Sequence, residues 1–137
     1  MDLIDCKKKQ LVKEITPDNN LINSLVKSSD NKLVVQGLLE LNDITAASKI
    51  CLLYDALREL LEALAIKKGY KIYNHECFTY FLKEVMSESS LADSFDELRK
   101  LRNAINYYGK SVNANESFEV LNELKRLIEK TKKVFKR

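Results

Sequence analysis

The segment at 101–110 reads Leu-Arg-Asn-Ala-Ile-Asn-Tyr-Tyr-Gly-Lys, and its arginine is the residue most in need of a chemical explanation. At about 100° per residue, Leu91, Phe95, Leu98, Leu101, Ile105 and Tyr108 share one arc of a helix, and Arg102 falls inside it. A guanidinium on an apolar face costs several kcal/mol to desolvate unless carboxylate, phosphate or several acceptors surround it. Arg102 therefore pairs with a carboxylate across the fold, snorkels its head to water, or serves an anionic ligand or an interface. Asn106, four residues on, lies on the same side and can help hold a phosphate oxygen. Tyr107 and Tyr108 suit base stacking or a buried interface, with core packing the first reading for Tyr108.

Other chemistry-bearing residues have plainer readings. Asp55, Glu59 and Glu62 recur at i, i+4 and i+7, a narrow polar stripe that faces solvent or a site, and they supply the obvious carboxylates for Arg102. His75 is the single histidine, and its place beside Asn74 and Glu76 at a helix start reads as a surface or packing residue, with no catalytic role assigned. The basic run Lys125, Arg126, Lys130, Lys132, Lys133, Lys136 and Arg137 is interleaved with Glu123 and Glu129, which describes a solvated helix face. Cys6, Cys51 and Cys77 are odd in number and widely spaced, so reduced core thiols are expected rather than a disulfide framework. No metal site and no cofactor are expected.

The elements that must position these residues are helical. Gly 3 and Pro 1 in 137 residues leave little material for hairpins, and the length suits one domain spanning 1–137. Thr16-Pro17 signals a helix start. The apolar period behind it is interrupted at Ser28 to Asn31, giving two helices or one broken one. Residues 1–14 add a short leading helix. Asn42-Asp43 precedes the most apolar helix, roughly Ile44 to Lys67; Gly69 ends it, and Asn74 caps the next, His75 to Met86. Leu91 to Tyr108 and a last helix after the 109–115 linker complete the set. No strand pattern competes, so the expected architecture is all-α, an up-and-down antiparallel bundle of about four or five helices. A net charge of +3 permits a phosphate-bearing partner without demanding one. The apolar stretches are too short for a membrane span and the charged start is unlike a secretory signal, so a cytoplasmic location without membrane attachment is expected.

At Arg102-Asn103 the chain resembles the HEPN domains (higher eukaryotes and prokaryotes nucleotide-binding), whose signature is Arg, four intervening residues, then His on a late helix, most often with Asn after the Arg. The likeness extends over roughly 18–135: a long alanine-containing helix with Tyr54 near its middle, then a linker and His75 opening the next helix. It implies a helical homodimer in which two such motifs meet and RNA is cleaved without metal, and it makes a minimal nucleotidyltransferase, in a toxin–antitoxin-type pair, a possible partner. By position Arg102 and Asn103 match the motif, and Tyr107 stands where the histidine would be. A histidine near pKa 6.5 exchanges protons at neutral pH, whereas a tyrosine near 10 stays protonated and is a poor base, though it still donates a hydrogen bond. Three functions stay open: an RNA- or nucleotide-binding domain with phosphate on Arg102, Asn103 and Asn106; an active endoribonuclease in which Tyr107 or another residue replaces the histidine; and a structural dimerisation module with Arg102 in an interface salt bridge.

Overall fold

A computed structural model describes all 137 residues. Its organising element is the helix Ala46–Lys67, which carries apolar residues around most of its circumference and so can only be central: Ile50, Leu53, Tyr54, Leu57, Leu61, Leu64 and Ile66 are all buried. Each such side chain contributes roughly 1.5–3 kcal/mol on leaving water. Around it the chain runs α1 (Leu3–Lys8), β1 (Val12–Glu14), α2 (Asn19–Leu38), the central α3, β2 (Tyr70–Ile72), α4 (His75–Glu84), α5 (Ser89–Tyr108) and α6 (Ala114–Phe135). The four long helices form the bundle. Ile22 packs with Ala63 and Ile66, Ser29 bonds Ala56, and Lys49 bonds Gln36, so α2 and α3 run antiparallel. Glu88, just before α5, pairs with Arg137 past the end of α6 at 2.8 Å, which makes those two antiparallel as well. No helix is long and apolar enough to cross a membrane.

Side-chain caps set several boundaries. Asp18, rather than the expected Thr16, accepts from the Leu21 amide and caps α2, so Pro17 stays outside the helix; Asn74 accepts from Glu76 to start α4, and Asn113 accepts from Glu116 to start α6. Asn42 accepts from the amides of Ile44 and Thr45, so the central helix begins at Ala46 and Ile44 stays outside it, 90% exposed. Gly69 (φ +90°) and Gly109 (φ +65°) occupy the left-handed region at the ends of α3 and α5.

Four expectations are corrected. The interruption at Ser28 to Asn31 is absent: α2 is continuous because the Ser29 hydroxyl points inward and donates to the Ala56 carbonyl at 2.7 Å. A small antiparallel sheet exists, pairing Val12 with Ile72, Lys13 with Lys71 and Glu14 with Tyr70; three residues per strand are too few to carry a visible alternation. Cys6 and Cys77 form a disulfide, their Cα atoms 6.3 Å apart and neither residue exposed, leaving only Cys51 free. The β1–β2 pairing draws α1 over α4 and brings together sulfurs 71 positions apart in sequence. Tyr108 is not in the core but 84% exposed, because it lies about 200° around the helix from Asn106, the residue of that turn that meets Cys51 of the central helix.

Candidate functional site

α5 presents two adjacent stripes to two different neighbours. Arg99, Asn103 and Tyr107 follow at i, i+4 and i+8 and face the start of α4, while Arg102 and Asn106 face Cys51 and Asp55 of α3. The first stripe lines a shallow pocket of about 300 Å³ closed on its other side by Tyr73, Asn74, His75 and Glu76, the β2–α4 junction. The second stripe is a contact within the protein: Arg102 Nη2 lies 3.4 Å from Asp55 Oδ1, and the Cys51 thiol donates to Asn106 Oδ1 at 3.3 Å.

Tyr54 joins the two. Its ring lies parallel to Phe95 at 5.6 Å, the Arg102 guanidinium sits 5.5 Å from its centroid, and its hydroxyl reaches His75 Nδ1 at 3.1 Å. Burial pushes the Tyr54 hydroxyl's pKa well up, so it keeps its proton. Donated to Nδ1, that proton leaves the imidazole's own proton on Nε2. The His75 pKa is pushed down to about 4, first by burial and then by the positive charges of Arg58 and Arg102. At neutral pH the ring is uncharged, a hydrogen-bond donor and a weak base. Burial also raises the pKa of the Cys51 thiol, against the opposing pull of Arg102.

Arg102 is held rather than free. Its side chain is 18% exposed, Asp55 and the Tyr54 ring take up its head, and its Nε–H is buried without an acceptor. The Asp55 contact is long for a charged pair, and the unused Nε donor leaves capacity for a further acceptor. Arg99 is tied to Asp96 through Nε at 3.0 Å and Nη2 at 2.8 Å. Burial opposes the Asp96 charge, but the hydrogen bonds from Arg99 and Lys100 outweigh it and keep that carboxyl below its usual range. The pocket can thus offer donors from Asn103, Arg99 and the imidazole, an acceptor at Glu76, and two aromatic faces: Tyr73 is 60% and Tyr107 71% exposed.

Of the residues singled out in sequence, Asn103 and Tyr107 share the pocket, and Arg102 and Asn106 stand beside it. The acidic stripe is divided. Asp55 stays with Arg102, but Glu59 is buried against Lys32 of α2 at 2.6 Å, and Glu62 bonds Arg58 at 3.0 Å and Lys71 at 2.9 Å. His75, read from sequence as a surface or packing residue, lies in the pocket and is wired to Tyr54. Arg99 and Tyr73 went unremarked, although Arg99 stands four residues before Asn103 and eight before Tyr107. No group of three or more His, Cys, Asp or Glu side chains converges as a metal site would require. Compared with protein-family models, with curated proteins and with solved structures, the chain matches none of them.

Proposed function

We propose that this chain is a HEPN-like RNA- or nucleotide-binding domain that works as a homodimer, with the α4–α5 pocket receiving a nucleotide. The observation that carries the reading is the meeting of Asn103 and Tyr107 with His75, a residue of another helix, in one pocket beside Arg102. A phosphate oxygen can take donors from the Asn103 amide, the imidazole Nε2–H and Arg99, with the charge of Arg102 beside the pocket; a base fits an exposed tyrosine face, where stacking contributes about 1–3 kcal/mol. A minimal nucleotidyltransferase remains the partner that the family likeness suggests.

Binding is favoured over RNA cleavage on acid–base grounds. His75 supplies the imidazole missing from the motif, yet its Nδ1 is engaged by Tyr54 and its basicity is low. Proton transfer works best from a group whose pKa lies near the working pH and is typically worth about 10²–10⁴ in rate. The Arg102–Asp55 contact favours a second reading, in which the arginine is only a structural ion pair.

Fluorescence anisotropy with a labelled single-stranded RNA separates these readings. Arg102→Ala and Asn103→Ala are expected to weaken binding about tenfold or more while leaving the circular dichroism spectrum helical. If Arg102→Ala changes only the melting temperature and leaves RNA affinity intact, the structural reading replaces the binding one. RNA cleavage that persists through purification and disappears in His75→Ala would establish the nuclease instead.

A further inference from the structure

Residues 1–14 clasp the element that builds one wall of the pocket. β1 pairs with β2, the Tyr73 amide donates to the Leu11 carbonyl at 2.8 Å, and the next residues, Asn74, His75 and Glu76, line the pocket. Cys77 follows two positions after His75 and is the covalent end of the clasp, joined to Cys6 in the middle of α1. The other ties are Ile15 N–H to the Gly69 carbonyl, Leu3 N–H to Glu84, Lys7 over the Tyr70 ring, and the side chains of Leu3, Leu11 and Val12 on the core. A six-residue helix and three-residue strands have little stability of their own, so the leading segment is ordered by what holds it down.

We infer that the Cys6–Cys77 pair is a redox-sensitive clasp whose closed, oxidised state holds the β2–α4 wall in the geometry that binds nucleotide. The inference rests on the pocket being the binding site. On closing, the two thiols lose two protons and two electrons and form the S–S bond; a low-molecular-weight disulfide accepts them and departs as two thiols. Reduction reverses this. Both sulfurs lie without exposed surface, so exchange waits on local opening of α1. Cys51 does not compete for pairing: its thiol is bonded to Asn106 of α5, with its pKa raised by burial.

Linkage makes the claim testable, because a clasp that favours ligand must in turn be favoured by it. The full chain is equilibrated in reduced and oxidised glutathione at graded ratios, with and without saturating adenosine 5′-monophosphate or octauridylate. Protein thiols are counted by alkylation and mass. Reduced chain is expected to bind the probe about tenfold more weakly, and probe is expected to raise the midpoint ratio of [GSH]²/[GSSG] by the same factor. Hydrogen exchange across 70–77 should quicken on reduction, and Cys6→Ser should bind as the reduced chain does in either buffer. A midpoint unmoved by a probe that binds both states equally overturns the clasp and leaves the binding site standing. Failure of both probes to bind in either state overturns the site and the clasp together.

Discussion

His75 shows how far a residue's surroundings can outweigh its type. A histidine at a helix start is ordinarily a partly charged surface group, but here burial first, and then the positive charges of Arg58 and Arg102, keep it neutral beside the Tyr54 hydroxyl. Its folded pKa of about 4 lies below the unfolded value near 6.5, so within that window only the unfolded chain binds the proton. The resulting stability is complete above the window and is lost as the pH falls through it. Proton NMR of the single imidazole should titrate near pH 4, and His75→Gln should flatten the fall in melting temperature between pH 6.5 and 4. A titration midpoint above 6 would contradict the buried Tyr54 contact. From sequence, Arg102 was legible because an arginine on an apolar arc is an anomaly that spacing alone reveals. The company of His75 was not, since it depends on a contact between residues 21 positions apart.

At the scale of elements, α2 and α3 are joined by polar contacts as well as apolar ones. Glu59 is buried and depends on Lys32 of the facing helix. Removing the lysine strands a carboxylate, at a cost of about 2–3 kcal/mol once the partial exposure of Lys32 is allowed for. Lys32→Met is therefore expected to lower the chemical-denaturation midpoint sharply, and Lys32→Met/Glu59→Leu to restore most of it. Equal losses in the single and double variants would mean that the pair contributes nothing specific. Lys49 plays a related part, donating at 2.6 Å to the carbonyls of Gln36 and Leu39 where α2 ends. Helix existence and most boundaries were readable from apolar periods and from caps such as Asn42, Asn74 and Gly69. The unbroken course of α2 was not, because inward-pointing Ser29 looks from sequence like the start of a loop.

For the whole molecule, the expected bundle is present, with α1 and a two-stranded sheet added along one side. Tyr107 and Tyr108 leave a pair of exposed aromatic rings at the end of α5, close to the motif. If the proposed homodimer forms there, Tyr107→Ser/Tyr108→Ser should convert a dimeric mass to a monomeric one in light scattering, with the melting curve of the monomer still cooperative. A dimer that survives both changes lies on another face. The disulfide and the sheet escaped the sequence for a common reason: each joins segments remote along the chain, and only tertiary geometry brings them into register. Gly69 marks the place where these remote segments meet. It ends α3, leads into β2 and accepts the Ile15 amide, and a Cβ there would sit 3.2 Å from the Ile15 carbonyl oxygen at a φ of +90°. Any side chain at position 69 has to adopt a left-handed backbone and press on the Ile15 carbonyl, so a substitution there would loosen the leading segment from the bundle as well as the end of α3.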